Sequence, residues 1–190
     1  WEGRYTHMSK ACIFLADGFE EIEGLTVVDI LRRAGVEIHM VSITGETKVT
    51  GSHGIEIKCD TCIGQENFSE IELFVLPGGM PGTKNLGACK ALTELLTASF
   101  EAGKKLAAIC AAPSVLGDLG ILKGKKACCY PGFEEHLTGA QVVFDQVAQD
   151  GNVTTSRGMG TAIPFALSLV SQMVSEEKAQ ELAQSIIFKV

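Results

Sequence analysis

Residues 105–113 read KLAAICAAP, a lysine followed by an apolar run in which a cysteine, Cys110, lies among alanines shortly before a proline. A strand is predicted over residues 105–109, whose last four residues are continuously apolar, as in a strand buried on both faces of a parallel sheet. Pro113 suits the first turn of a helix, where its missing N–H costs nothing, and a short helix is predicted over residues 112–119. The stretch therefore predicts a central strand, a sharp turn at Cys110 and a helix.

The same alternation of apolar strands and amphipathic helices extends in both directions, and it predicts a mostly parallel α/β sheet. Further strands are predicted at residues 11–16, 36–43, 54–58, 73–76, 127–130, 142–144 and 152–155. Further helices are predicted at residues 20–34, 88–102, 161–174 and 176–188. The expected buried stripe of the first of these helices consists of Ile22, Leu25, Val28 and Leu31.

Length and charge limit the classes of protein that need to be considered. The 190 residues carry a net charge of −7. Nucleic acids and anionic membranes require a basic face, so neither is expected as a partner. No apolar run is long enough to predict a transmembrane helix. Residues 1–7 are interpreted as a remnant that precedes a natural start at Met8, and residues 8–190 as one domain.

The seven cysteines are odd in number and irregularly spaced, which favours free thiols in a reducing cytoplasm over a disulfide framework. Cys59 and Cys62 form a C-x-x-C pair, but a zinc site would need two further ligands. A thioredoxin-like site would need the pair to begin a helix. The pair is interpreted as a strand end. Cys128 and Cys129 are adjacent in an apolar stretch and are expected to alternate between the core and the outer face. No metal or cofactor is predicted.

Cys110 is the strongest candidate for a reactive group. In an open parallel sheet, sites lie beyond the carboxyl ends of the strands, where the loops 17–23, 77–81, 110–113 and 156–160 should converge. The small residues around Cys110 suit the strained backbone of a nucleophile elbow. A neighbouring helix N-terminus is expected to lower the pKa of the thiol. The alternative is that this cysteine simply fills the core, as free cysteines often do.

Glu23 is the carboxyl group that we expect to pair with Cys110. In a dry pocket its pKa would rise, so that it could act as a general acid and base. The alternative is that it only complements the dipole of its helix, a role that Glu20 and Glu21 could also fill. A backbone N–H of the loop 76–79, together with that of Ala111, would form an oxyanion hole. A phosphate-cradling loop is the competing interpretation, but no phosphate-binding glycine motif is present.

Four motifs in order carry a resemblance to a known family: residues 17–23 (DGFEEIE), 76–79 (LPGG), 108–113 (AICAAP) and 155–161 (TSRGMGT). With them the chain resembles the ThiJ/PfpI (DJ-one) superfamily, nearest the branch of the parkinsonism-associated protein deglycase and its bacterial relatives. The resemblance implies a flavodoxin-like three-layer sandwich, with a mostly parallel central sheet and helices on both faces. It also implies a homodimer.

The resemblance further implies roles for individual residues. Cys110 would be hydrogen-bonded to a protonated Glu23, and the N–H groups of Gly79 and Ala111 would help to hold the sulfinate that forms when the cysteine oxidises. Tyr130 stands where some glyoxalase-active members have a histidine, which favours a slower proton shuttle. His53 matches a position that is often basic at the mouth of the pocket.

Two functions follow from this resemblance. The first is a cofactor-independent glyoxalase or a deglycase, which acts on methylglyoxal, glyoxal or amines glycated by them through Cys110 as nucleophile and Glu23 as acid and base. The alternative is a non-enzymatic sensor of oxidative stress, or a chaperone, that responds to oxidation of Cys110. Peptidase chemistry is disfavoured, because Ala111 stands where the peptidase branch has a histidine.

Overall fold

The computed structural model describes residues 9–189, and its centre is a sheet of seven strands. The interpretation of residues 1–7 and of Met8 concerns positions outside these described residues. The strands are β1 (Lys10–Leu15), β2 (Glu37–Ser42), β3 (Lys48–Thr50), β4 (Glu56–Lys58), β5 (Thr61–Cys62), β6 (Leu73–Leu76), β7 (Lys105–Ile109), β8 (Lys126–Ala127), β9 (Gln141–Val142), β10 (Val147–Asp150) and β11 (Val153–Ser156). The helices are α1 (Glu21–Arg33), α2 (Gly82–Ala88), α3 (Lys90–Glu101), α4 (Pro113–Asp118), α5 (Ala162–Met173) and α6 (Glu176–Ser185).

The main sheet has the strand order β10-β11-β7-β6-β1-β2-β5, which places the strand of the KLAAI segment near its middle. Every pairing in it is parallel except that of β10 with β11. Helices connect β1 to β2 and β6 to β7, whereas the connection from β2 to its parallel neighbour β5 contains the antiparallel pair β3 and β4. The predicted α/β sandwich with a mostly parallel sheet is therefore confirmed.

Helices cover both faces of the sheet because successive side chains of a buried strand point to opposite sides. In β1, Ala11, Ile13 and Leu15 pack in one core cluster with residues of α1, α5 and α6. Cys12 and Phe14 point the other way, into a second cluster with residues of α2, α3 and α4. Both clusters are apolar, which explains why the buried strands read as continuous hydrophobic runs.

The predicted buried stripe of α1 is wrong in two of its four positions. Ile22 is 50% exposed, and Leu25 is only partly buried. Residues spaced by three drift around a helix that turns every 3.6 residues, so such a row cannot stay on one face. The face that contacts the core is instead centred on Val27 and Leu31.

Several boundaries around the sheet also differ from the prediction. The predicted strands at residues 127–130 and 142–144 shrink to the short pair β8 and β9, which lies outside the main sheet. Phe144 is exposed at 67% and lies against the guanidinium group of Arg157. Neither α2 nor the edge strand β10 is predicted from the sequence, because these short and polar segments lack a clear hydrophobic period.

The seven cysteines are free thiols in the structure. Cys59 and Cys62 are both buried. Cys62 is the last residue of β5, and Cys59 lies shortly before that strand, in agreement with the interpretation of the pair as a strand end. The expected alternation of Cys128 and Cys129 between core and outer face is wrong: both are buried, and both lie after the end of β8 rather than in a strand. Within residues 9–189, no helix has the length and apolar character needed to cross a membrane.

Candidate active site

Cys110 occupies a sharp turn between β7 and α4. Its backbone has φ = 67°, in the left-handed region that residues with a side chain rarely adopt. Two backbone hydrogen bonds hold this turn: the Cys110 N–H donates to the Ser156 carbonyl at 2.9 Å, and the Tyr130 N–H donates to the Cys110 carbonyl at 2.8 Å. The strained elbow expected from the sequence is therefore present, and neighbouring segments of the chain fix it.

The loops that were expected to converge do meet at this edge of the sheet. The N–H of Glu20 donates to the carbonyl of Gly78 at 2.8 Å, and the N–H of Gly82 donates to the carbonyl of Gly18 at 3.2 Å. The loop after β11 joins them through the bond between Ser156 and Cys110. The carboxyl ends of β7, β6 and β1, which are neighbours in the sheet, thus form one site.

Glu23 lies in the first turn of α1 and is buried, with 1% of its surface exposed. Its Oε1 accepts a hydrogen bond from the N–H of Gly78 at 3.1 Å. Its Oε2 is buried and has no hydrogen-bond partner that meets ordinary geometric criteria among residues 9–189. The carboxyl group is in contact with the Cys110 thiol. Glu23 is therefore directed at the sulfur rather than at solvent.

The alternative role for Glu23, complementing the helix terminus, is filled by Glu20. Glu20 is the N-cap of α1, and its Oε2 accepts a hydrogen bond from the N–H of Glu23 at 2.8 Å. A capping carboxylate of this kind satisfies one of the unpaired donors of the helix. The Glu23 side chain is thereby left available to Cys110. The sequence showed three glutamates but could not show which of them caps the helix.

The structure raises the pKa of both partners of this pair. Burial raises the pKa of Glu23 to about 7, and the charge of Glu20 adds to the effect, while hydrogen bonds from Cys110 and Gly78 oppose it. Burial, followed by the proximity of Glu23, raises the pKa of Cys110 to about 12. The expectation that a helix N-terminus would lower the pKa of the thiol is therefore wrong in direction. Desolvation and a neighbouring carboxyl group outweigh the N–H groups of Ala111 and Gly79, which act to lower the pKa of the thiol.

The two groups consequently behave as one coupled unit. Near neutral pH the pair loses its first proton, and a second negative charge at the same buried place is strongly disfavoured. A thiol beside a carboxylate and a thiolate beside a carboxylic acid have the same number of protons. Glu23 can therefore accept the proton of Cys110 when the sulfur attacks, with a pKa close to the pH at which it would work.

Two backbone N–H groups act on the Cys110 thiol. Those of Ala111 and Gly79 each lower its pKa, against the larger effect of burial. Gly79 has φ = 90°, which glycine adopts without strain. The structure thus brings Cys110, Glu23, Gly79 and Ala111 together, as the sequence analysis expected.

Gly78 is a further component of the site. A Cβ atom at this position would lie 2.6 Å from both the Cβ of Cys110 and the Oε1 of Glu23, and 2.8 Å from the carbonyl oxygen of Ile109. Only a residue without a side chain fits between the thiol and the carboxyl group. The sequence analysis named this glycine only as part of its loop, because nothing local indicates what packs against it.

Tyr130 and His53 occupy more peripheral places than Glu23. Tyr130 is half exposed and borders the turn through its backbone bond to Cys110. The Nδ1 of His53 lies 2.9 Å from Oε1 of the buried Glu21, and among residues 9–189 no hydrogen bond links His53 to Cys110 or Glu23. Burial would raise the pKa of Glu21, but bonds from His53 and Ile55 outweigh it and lower that pKa to about 2. His53 is therefore committed to an ion pair at the loop.

A family model described as the DJ-1/PfpI family matches residues 9–172. Protein dj-1beta of Drosophila melanogaster is 37% identical over 183 residues, which cover 95% of this chain and 98% of the relative. Protein DJ-1 homolog B of Arabidopsis thaliana is 38% identical over 95% of this chain. The chain spans only 42% of that plant protein. The glutathione-independent glyoxalase DJR-1.2 of Caenorhabditis elegans is 31% identical over 88% of this chain and 89% of the relative.

Solved structures agree with these sequence similarities. The crystal structure of Drosophila melanogaster DJ-1beta superposes with a TM-score of 0.92 and 36% identity, and covers 96% of this chain and 100% of that one. The structure described as Toxoplasma gondii DJ-1, oxidized, also has a TM-score of 0.92, with 33% identity and the same coverage.

Proposed function

The chain belongs to the DJ-1/PfpI family, and we propose that it converts small reactive aldehydes through Cys110, as a glutathione-independent glyoxalase or as a deglycase of their adducts. The observation that carries the proposal is the buried pair of Cys110 and Glu23, whose carboxyl group has a pKa raised to about 7. The relative from Caenorhabditis elegans that is named a glutathione-independent glyoxalase supports the same reaction class.

The geometry supports a reaction that needs no cofactor. Glu23 accepts the thiol proton while the sulfur of Cys110 adds to the aldehyde carbon of methylglyoxal, which gives a hemithioacetal. The resulting oxyanion is stabilised by the nearby backbone N–H groups. Glu23 then moves a proton from the first carbon to the second, so that a thioester forms. Water hydrolyses the thioester to lactate and restores the thiol.

Peptidase chemistry of the Cys–His type lacks its base in the described part of the chain. His39, His53 and His136 each bond to a carboxylate, and none of them bonds to Cys110. The residue after the cysteine, Ala111, has no side chain that could accept a proton. Glu23 is the group that contacts the sulfur, and a carboxyl base with a pKa near 7 suits aldehyde isomerisation.

The decisive assay is formation of lactate from methylglyoxal in the absence of glutathione, with the configuration of the product determined enzymatically. We expect net production of lactate by the chain itself. The deglycase form of the proposal predicts that aldehyde already added to an amine or a thiol is released faster than in buffer. Rates equal to the buffer rate for all of these substrates would refute the enzymatic proposal.

A second function, a sensor of oxidative stress or a redox-controlled chaperone, is favoured by the two N–H groups that act on the Cys110 thiol. A sulfinate carries a negative charge on its oxygens, and backbone donors at this place would stabilise it. A protonated Glu23 would supply a third donor. The structural relative from Toxoplasma gondii, which is described as oxidized, is consistent with this possibility for the family.

We expect mild peroxide to add two oxygen atoms to Cys110 before it modifies any other cysteine. Cys12, Cys59, Cys62, Cys128 and Cys129 are buried, so Cys89 is the natural competitor and the internal control. Intact mass followed by peptide mapping measures the order of modification. Earlier oxidation of Cys89 would contradict the sensor function.

We also propose that the protein pairs with a second copy of itself through the outer face of α1. Ile22, Ile55 and Ile163 are 50%, 51% and 36% exposed, and they line a groove together with Leu25 and Ile186. An apolar surface of this kind is typical of an interface. The free thiols are consistent with the reducing cytoplasm expected from the sequence.

Light scattering coupled to size exclusion should give twice the mass of one chain for the wild-type protein. Ile163→Asp places a charge on the groove and should shift the protein to the monomer. Val174→Asp, at an exposed residue that does not line the groove, is the matched control and should remain dimeric. A wild-type monomer would contradict this assembly.

A further inference from the structure

Cys12, His39 and Glu66 form a cluster that the reactive site does not use. Cys12 in β1 and His39 in β2 are direct neighbours in the parallel register, so both side chains point to the same face of the sheet. Glu66 follows β5, and its Oε1 lies 3.1 Å from the Nδ1 of His39. The sulfur, a ring nitrogen and a carboxylate oxygen all lie within 4.8 Å of one another.

A second observation concerns the outer side of the histidine. The Oε2 atom of Glu37 is buried and has no hydrogen-bond partner among residues 9–189. It lies 3.7 Å from the Nε2 of His39 and 3.6 Å from the Nζ of Lys10, both beyond hydrogen-bond distance. Histidines that bind metals donate their other ring N–H to a carboxylate, which fixes the ring and its tautomer, and Glu37 lies on the side of the ring where such a carboxylate is needed. The cluster thus has three inner ligands and an outer carboxylate on the correct side of the ring.

We propose that Cys12, His39 and Glu66 bind a zinc ion, with His39 as an Nδ1 ligand and water in the fourth position. Bonds of about 2.0 to 2.3 Å to sulfur, nitrogen and oxygen place tetrahedral ligands roughly 3.3 to 3.8 Å apart. The cluster already lies close to these separations, since its ligand atoms are within 4.8 Å of one another. Small side-chain rotations would complete the site.

The chemistry of these ligands favours zinc over harder cations. Calcium and magnesium prefer oxygen ligands, whereas a thiolate with an imidazole and a carboxylate suits zinc. Cys12 is fully buried, so an organic substrate cannot reach its sulfur, and a nucleophilic role is excluded. A metal ion can enter from the side of His39 and Glu66, whose side chains are 30% and 12% exposed. Binding would release the proton of the Cys12 thiol.

The bound ion would add a further tie between the sheet and the connection from β5 to β6. Glu66 lies in this connection, which already contacts the sheet through the Glu66 bond to His39 and through Phe68 packed on Phe14. A ligand bond from Glu66 to a metal on β1 and β2 would fasten this connection onto the sheet. Cys12 lies three residues before the end of β1, about 10 Å from the edge of the sheet that carries Cys110. The ion would therefore stabilise the fold and take no part in the aldehyde chemistry.

Titration of the chelator-treated protein with Zn²⁺, in competition with a chromophoric chelator, tests the proposal. We expect one tight equivalent per chain and a higher melting temperature with zinc. Glu66→Gln and His39→Asn should each weaken binding by about 10-fold to 100-fold or more. With Co²⁺ in place of Zn²⁺, the wild-type protein should show a thiolate-to-metal charge-transfer band, which Cys12→Val should lose.

Two matched variants separate this cluster from other metal sites. The Nδ1 of His136 pairs with Asp118 at 3.1 Å without a cysteine, so His136→Asn should bind zinc as the wild type does. Cys110→Ser should retain the charge-transfer band, because its sulfur is not a ligand. The proposal fails if Cys12→Val keeps the band, if Cys110→Ser loses it, or if Glu66→Gln, a partly exposed change that leaves the core intact, binds zinc as tightly as the wild type.

Discussion

Cys110→Ala should reduce formation of lactate from methylglyoxal by about three orders of magnitude or more, to the rate seen in buffer. The sulfur is the group that forms a bond to the aldehyde, and the neighbouring carboxyl group cannot substitute for it, because Glu23 is buried and is held by Gly78. Alanine has the same backbone preferences as cysteine at φ = 67°, so the fold should be retained. Initial rates over a range of methylglyoxal concentrations measure the effect.

Cys89→Ala is the control for this experiment. Cys89 is the other partly exposed cysteine, and it lies at the N-cap of α3 without a side-chain capping bond. Its replacement should leave the rate unchanged, which shows that any lost activity is specific to the elbow. Glu23→Gln should keep the shape of the pocket but remove the base, so it should also be strongly impaired. Residual turnover in Cys110→Ala close to that of the wild type would exclude the covalent mechanism.

Gly78→Ala should be nearly as damaging, although it removes no reactive group. The added Cβ would lie 2.6 Å from both the Cys110 Cβ and the Glu23 Oε1, a separation that real Cβ atoms essentially never show. The two side chains would have to separate, and the N–H of Gly78 that bonds to Glu23 would move with them. Overpacking of this kind costs about 1–3 kcal/mol of folding stability. We expect a folded protein with a lower melting temperature and less than about 1% of the activity, since small displacements can cost roughly 100-fold.

Gly45→Ala is the matched control for this substitution. A Cβ atom at Gly45 meets no heavy atom within 4 Å, and its φ is not in the left-handed region. Activity and melting temperature should therefore stay at the wild-type values. Calorimetry separates loss of fold from loss of geometry. A Gly78→Ala protein with wild-type activity would show that the contact between the thiol and the carboxyl group is not required.

The sequence predicted the main sheet well because its strands are buried on both faces. The predicted strands at residues 73–76 and 105–109 have the observed boundaries. The first is an apolar run stopped by Pro77, and the second lies between two lysines and the turn at Cys110. The buried faces of the surface helices were harder to predict. Two positions of the α1 stripe were wrong, because a row of residues spaced by three does not follow one helix face.

The residues of the candidate site could be predicted from their types, but the pKa values of Cys110 and Glu23 in the folded protein could not. Glu23 and Cys110 are 87 positions apart in the numbering, and only the parallel strand order brings their loops together. The raised pKa of Cys110 depends on how much water the fold excludes and on the carboxyl group beside it. Likewise, Cys12 and His39 become neighbours only through the register of β1 with β2. None of these effects has a local signature.

The backbone bonds around Cys110 have a consequence for how this site can evolve. Its N–H bonds to the carbonyl of Ser156 and its carbonyl accepts from the N–H of Tyr130, so neither bond involves the sulfur. Whatever side chain stands at this position, the main chain would present it at the same point of the pocket. Mutation can therefore exchange the reactive side chain while the backbone conformation of the turn is kept. Proteins that descend from such a fold can gain, change or lose a catalytic activity without a change of fold.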